Sequence, residues 1–172
     1  MIVLNMELKI RLSGPLTIDS IVDGVGLRCV VWTQGCPHNC PNCHNPLTHD
    51  MQGGELVDVA TVVKEIKDTH LQTGLTLSGG EPFMQPDALL PIVAAAKEMN
   101  MNIWAYTGFL YEDLLTDPRR NKLLKELDIL VDGKFKEELR DPYLRFKGSS
   151  NQRVIDVQSS LKNNKVILSE YN

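Results

Sequence analysis

Apolar side chains recur along this chain with two alternating periods. Compact β-branched or aromatic runs, Cys29-Val30-Val31-Trp32-Thr33, Leu75-Thr76-Leu77, Ile103-Trp104-Ala105-Tyr106 and Ile129-Leu130-Val131, predict short buried strands. Between them the spacing switches to the helical period. Val59, Val62, Val63 and Ile66 fall at i, i+3, i+4 and i+7, one apolar face of a helix with Asp58 placed to cap its start. Pro86-Asp87 opens a second helix, whose core side is Leu89, Leu90, Ile92, Val93 and Ala96. A third helical stretch carries Leu114 and Leu115, breaks at Asp117-Pro118 and resumes with Leu123, Leu124 and Leu127. Glu7-Leu8-Lys9-Ile10-Arg11-Leu12 alternates polar and apolar, as a half-exposed strand does, and Val154-Ile155-Asp156-Val157 reads as a fifth core strand. The apolar pattern Lys165-Val166-Ile167-Leu168, in the stretch from Ser159 onward, has no assigned place.

Strands alternating with helices predict an α/β fold of parallel strands joined by right-handed helical crossovers. In such folds ligands collect beyond the carboxyl ends of the strands. The chain has 172 residues, whereas a full eight-unit barrel takes about 200 or more. The expectation is therefore one domain over residues 1–172, a partial, open TIM-like barrel of parallel strands and outer helices. Its open side leaves room for a macromolecular substrate. Residues 35–57 show neither period, and an irregular segment of that length usually works as a site.

That segment begins with Gly35-Cys36-Pro37-His38-Asn39-Cys40-Pro41-Asn42-Cys43-His44-Asn45, which places three of the four cysteines in a C-x3-C-x2-C array. Pro37 and Pro41 stiffen the loop by fixing φ. Thiolates this close on one loop can hold a cubane iron–sulfur cluster by three of its irons, leaving one free to bind a substrate. Zinc is the competing reading, with Cys36, Cys40, Cys43 and one of His38, His44 or His49. A disulfide would leave one thiol of the three over, and an electron-transfer ferredoxin needs four thiolates per cluster. Cys29 sits inside an apolar run and reads as a small core residue. His38 and His49 read as surface loop residues and His70 as a helix-end residue. Upstream, Gly24 and Gly26 read either as a tight turn where the backbone approaches something closely or as a simple loop, and Arg28 as a surface charge or an anion contact.

The cysteine array, with the segments around it, resembles the radical S-adenosylmethionine superfamily. Asp23-Gly24-Val25-Gly26-Leu27-Arg28 is similar to the D/N-G-x-G-x-R segment of glycyl-radical activases, and Ser78-Gly79-Gly80-Glu81-Pro82 to the superfamily's Gly-Gly-Glu motif. Tyr106-Thr107-Gly108, Val131-Asp132-Gly133-Lys134-Phe135 and residues 145–152 resemble the activating proteins of anaerobic (class III) ribonucleoside-triphosphate reductases. The resemblance covers residues 14–157. It implies a [4Fe–4S] cluster on Cys36, Cys40 and Cys43, with S-adenosylmethionine bound at the open iron. It implies cofactor contacts from Asn42, Cys43, His44, Gly79, Gly80, Glu81, Thr107 and Asp132, and no catalytic side chain beyond the cluster ligands. Gly79 and Gly80 would let backbone near the methionine moiety, and Glu81 would accept from its ammonium. Thr107 and Asp132 match a cation- or carboxylate-contacting set, and Lys134 either pairs with the methionine carboxylate or faces water. Asn42 stands where many relatives have an aromatic residue, and His44 where reductase activators often have tyrosine. Residues 149–152 are expected to contact the partner or a neighbouring loop. The implied partner is the large subunit of an anaerobic ribonucleotide reductase, and the implied electron donor a reduced flavodoxin or ferredoxin. Activation of another glycyl-radical enzyme, of the formate-lyase or diol-dehydratase type, is the alternative. So is a small radical enzyme acting on a metabolite, of the kind that makes deazapurines.

Composition narrows the partners. Hydrophobic residues make up 42% and charged residues 23%, ordinary for a globular protein, and the net charge of −4 argues against nucleic acid or anionic membrane as a partner. The longest apolar run, residues 88–96, is too short to span a bilayer. Met1-Ile2-Val3-Leu4 lacks the basic flank and length of a signal peptide. With clustered thiols, this predicts a reducing cytoplasm.

Overall fold

The computed structural model describes residues 8–172. Glu7 of the first predicted strand, and the Met1-Leu4 segment read for a signal peptide, lie outside the described residues. In chain order the elements are β1 (Lys9–Leu12), β2 (Thr17–Ser20), β3 (Arg28–Thr33), β4 (Glu55–Asp58), α1 (Val59–Lys67), β5 (Gly74–Gly79), α2 (Pro86–Glu98), β6 (Asn102–Tyr106), α3 (Tyr111–Thr116), α4 (Pro118–Leu124), β7 (Ile129–Asp132), β8 (Arg153–Asp156) and α5 (Val157–Asn163).

One sheet runs in the order β4-β1-β3-β5-β6-β7-β8, with β2 added to the N-terminal half of β3. Its centre, β3-β5-β6-β7, is parallel, and these are the four strands that periodicity predicts. The sheet does not close on itself. The flanks differ from expectation. β8 pairs antiparallel to β7, so the fifth strand is not another barrel unit. β4, absent from the sequence reading, is an edge strand bonded to β1 alone, with three of its four residues exposed. Only Val57 of this strand packs on the core, and a single inward residue leaves no alternation to read. Asp58 precedes α1 but makes no side-chain cap, standing 3.6 Å from Lys9 instead. Asp117 does cap α4, accepting from the amides of Arg119 and Arg120, which explains the break at Asp117-Pro118. Among the described residues no helix is long and apolar enough to cross a membrane.

Strand side chains alternate between two cores. Cys29, Val31, Leu75, Leu77, Ile103, Ala105, Leu130 and Ile155 pack outward with the apolar faces of the helices, including Ile66, Leu89, Ile92, Leu114 and Leu124. Trp104, Val131 and Val154 point inward, joined by Val25, Tyr106, Phe146 and Tyr171. The unplaced apolar stretch belongs here. After α5, the Asp156 amide donates to Ile167 O, Leu168 bridges Ile155, the Ser169 amide donates to Val154 O, and Tyr171 lies beside Trp104. The segment therefore covers the outer edge of β8 and fills the inner core.

Arg28 corrects the reading of the glycine segment. It is neither a surface charge nor an anion contact but fully buried. Nε donates to Thr76 Oγ1, Nη1 to Val25 O and Asn102 Oδ1, and Nη2 to the Leu75 and Asn102 carbonyls. Burial lowers its pKa to about 10, so it stays cationic at neutral pH. A Cβ on Gly24 would meet Arg28 Nε and Trp104 at 2.9 Å, so the close approach read at that glycine is to this side chain.

Candidate active site

The parallel register aligns the strand ends. Thr33 lies opposite Gly79, Leu77 opposite Ala105, and Tyr106 opposite Val131. The loops carrying the cysteines, Gly79-Gly80-Glu81, Thr107-Gly108 and Asp132-Gly133-Lys134 therefore leave from one rim.

The cysteine loop is built from its base upward. The amides of Gly35 and Cys36 donate to the carbonyls of Thr48 and His49, so the outgoing arm is paired with its own return. Gln34, nearly buried, donates from Nε2 to the Leu47 and Asp50 carbonyls. The turn after β5 then clamps this base, with the Gly80 amide bonded to Thr33 O at 2.7 Å and the Glu81 amide to Gly35 O at 2.8 Å. The two glycines explain themselves. Gly79 has φ +99°, and a Cβ on Gly80 would lie 2.6 Å from Gly35 O. What they admit is the backbone of β3 and of the cysteine loop.

Between the cysteines, Asn39 and Asn42 take positive φ, 49° and 54°. Asparagine tolerates that region far better than an aromatic side chain, which gives a backbone reason for Asn42. The Cys43 amide donates to Cys40 O, and the Asn45 amide points at Cys43 Sγ at 3.4 Å. All four cysteines are free thiols; Cys36, Cys40 and Cys43 are half-exposed. Burial pushes the Cys36 thiol up, its neighbouring thiols add to this, and the His38 amide opposes it. Burial likewise raises Cys40, against the Phe135 amide and the charge of Lys134. Cys29 is fully buried in the outer core, and burial raises its thiol pKa.

Three free thiols on one loop at the sheet rim, with a backbone amide facing Cys43 Sγ, have the chemistry of a donor set for a cubane held at three corners. Sulfur ligands to such clusters are stabilised by amide hydrogen bonds of this kind. Among the described residues no three Cys, His, Asp or Glu side chains gather tightly enough to clasp a single metal ion. Two of the three histidines of the zinc reading are otherwise engaged: His38 pairs with Glu81, and the His44 ring packs on Phe135 with centroids 5.1 Å apart, whereas His49 Nε2 is buried without a hydrogen-bond partner.

Alternation decides the polar residues. Thr107 and Asp132 each follow an inward residue, Tyr106 and Val131, and so face outward. Asp132 is fully buried and both its oxygens are taken, Oδ1 by Arg153 Nε and Oδ2 by Arg153 Nη2 and the Tyr111 amide. Thr107 Oγ1 donates to Glu81 at 2.9 and 3.0 Å. Glu81, also fully buried, accepts in addition from the amides of Phe83 and Gly108 and is 2.6 Å from His38 Nε2. Its carboxylate is occupied from within the protein. Lys134, His44 and Asn42 remain exposed at the rim. Residues 149–152 contact a loop: Asn151 Nδ2 donates to Lys134 O, Gln152 Nε2 to Gly133 O, and Ser149 is fully buried.

His38 differs from the surface position its loop predicts: its side chain is only 7% exposed. A histidine among cysteines reads as solvated or as a ligand. Its partner lies 43 positions away, beyond the reach of any local pattern.

Comparison with known proteins identifies the family. A family model for a 4Fe-4S single cluster domain matches residues 22–155. Anaerobic ribonucleoside-triphosphate reductase-activating proteins are similar over most of their length. That of Vibrio cholerae is 38% identical over 145 residues, covering 78% of this chain and 90% of the relative. That of Haemophilus influenzae is 36% identical over 142 residues with the same coverage, and that of Escherichia coli K12 is 34% identical over 142 residues, covering 78% and 91%. A solved structure, QueE from Escherichia coli, overlays on 59% of this chain and 53% of its own at TM-score 0.49 and 14% identity, a partial likeness that bears on neither activity nor substrate. On these relatives, each more than 30% identical and matched over most of its length, the chain belongs to the family of anaerobic ribonucleoside-triphosphate reductase-activating proteins.

Proposed function

We propose that this protein installs a glycyl radical on the large subunit of an anaerobic ribonucleoside-triphosphate reductase, using S-adenosylmethionine at a [4Fe–4S] cluster held by Cys36, Cys40 and Cys43. The observation that carries this reading is the three-thiol loop clamped at the sheet rim, with Cys29 shut away in the outer core. Held by Cys36, Cys40 and Cys43, the cluster would supply the electron for reductive cleavage of S-adenosylmethionine, the chemistry from which a glycyl radical on the partner would derive.

The chain's own residues hold and orient. The Gly79-Gly80-Glu81 turn fixes the base of the cysteine loop through two backbone hydrogen bonds. Lys134, exposed and electrostatically linked to Cys40, offers a cation for the methionine carboxylate. Asn42 and His44 flank Cys43 at the exposed rim and are placed to meet the nucleoside. Thr107 and Asp132 serve the site through Glu81 and Arg153 rather than by touching the cofactor. The unclosed sheet gives access to a macromolecular substrate. A one-electron donor of the flavodoxin or ferredoxin class completes the reaction, and free clustered thiols suit a reducing cytoplasm.

The test is anaerobic incubation with a reductase large subunit, S-adenosylmethionine and a reductant, read by electron paramagnetic resonance. The expected result is a glycyl doublet on the reductase with one deoxyadenosine released per radical formed. Deoxyadenosine without a doublet would refute the assigned partner. One tight zinc per chain in place of iron and sulfide would refute the chemistry.

A further inference from the structure

The spacer between the first two cysteines sends one side chain inward. His38 Nε2 lies 2.6 Å from Glu81 Oε2, and the ring stands edge-on to Phe109, with centroids 4.5 Å apart and planes at 74°. It also lies against Gly108, where a Cβ would strike the ring at 2.6 Å from Nε2 and 2.8 Å from Cγ. A small residue, an aromatic edge and a buried carboxylate thus make a seat for this imidazole.

Glu81 is the other half of the seat. Its oxygens also accept from the Phe83 amide, the Thr107 hydroxyl and the Gly108 amide. One carboxylate therefore joins the turn after β5, the turn after β6 and the cysteine loop. A buried carboxylate is tolerated when donors surround it, and here they do. An ammonium group arriving at Glu81 would have to displace one of them.

We propose that His38 is a positioning residue for the cluster, acting through Glu81. This rests on the reading that Cys36, Cys40 and Cys43 are the ligands. The pair tethers the loop midway between Cys36 and Cys40 and so fixes their separation. Pro37 restricts the loop's entry and Asn39 turns it at φ +49°, so His38 between them is the residue placed to anchor it. Glu81 is then the anchor of the loop rather than the acceptor for the methionine ammonium.

The test compares full-length wild type, His38→Ala and His38→Gln, the last retaining a donor for Glu81. In the metal-free proteins, pulse alkylation with per-cysteine mass spectrometry reads the loop directly. His38→Ala is expected to raise labelling of Cys36 and Cys40 by about tenfold, with Cys29 still protected and His38→Gln intermediate. Labelling of Cys29 in step with the others would mean general loosening and overturn the assignment. After anaerobic reconstitution, His38→Ala is expected to lose iron to a chelator about tenfold faster and to show an altered spectrum of the reduced cluster, with His38→Gln partly restoring both. Wild-type rates and spectrum in His38→Ala would overturn the proposal while leaving the cluster reading intact. If wild type itself takes up no iron, the cluster reading fails, and the alkylation arm still decides whether His38 holds the loop.

Discussion

At the residue scale, the four cysteines divide by burial and by face. Cys36, Cys40 and Cys43 share the rim, so replacing any one by alanine should abolish deoxyadenosine formation; turnover surviving in one variant would remove that residue from the ligand set. Cys29→Ser should leave iron content at the wild-type level while lowering stability by about 1 kcal/mol, since a hydroxyl replaces a small apolar group in the outer core. Iron analysis beside thermal unfolding separates the two effects. Gly80→Val is the sharper case. From the Gly-Gly-Glu resemblance alone it should block S-adenosylmethionine binding and spare the cluster. The close approach of Gly80 to Gly35 O and Thr48 O changes that expectation. The valine pushes on the base of the cysteine loop, so iron uptake should fall together with cofactor affinity. Full iron loading with lost affinity would restore the simpler view.

Among the elements, β3 carries two different functions at its two ends. Its carboxyl end launches the cysteine loop. Its first residue, Arg28, closes the inner core roughly 17 Å away at the usual strand rise. Arg28→Leu removes the donors of five hydrogen bonds and leaves the Asn102 side chain and several carbonyls unmet. The expected cost is on the order of 3–5 kcal/mol, seen as a lower denaturation midpoint. The reduced-cluster spectrum of whatever protein stays folded should be unchanged, and a shifted spectrum would tie Arg28 to the site. The strand was legible in the sequence, because β-branched residues in a short run have few other solutions. The arginine's burial was not. A guanidinium at a strand start reads as surface until Asn102 and Thr76, from β6 and β5, are brought beside it.

For the whole molecule, the open sheet has two edges, and they are treated differently. β4 lies exposed, while β8 is covered by the segment that carries Ile167, Leu168 and Tyr171. Arg145 stacks over the rings of Phe146 and Tyr171 and completes the inner cluster. Deleting residues 169–172 should remove the bonds of Ser169 and Asn172 to Val154 and loosen Trp104, costing about 2–4 kcal/mol from the buried aromatic area and the lost pairing. Cluster assembly should persist. A denaturant midpoint unaffected by the deletion would show that this segment adds nothing to the fold.

Local chemistry by itself determined a good deal here. Helical and strand periods located the four parallel strands, and the fact that each polar motif follows a strand placed them on one rim. The cysteine spacing marked the cluster loop because three thiols within one turn-rich segment need no tertiary help to be neighbours. What only the tertiary structure decided were the contacts between polar groups distant in sequence: the edge strand β4, the antiparallel direction of β8, the burial of Arg28, and the carboxylate of Glu81 shared by His38, Thr107 and Gly108. Hydrogen bonds and close backbone approaches between remote segments impose no period on a sequence, whereas burial of an apolar face does.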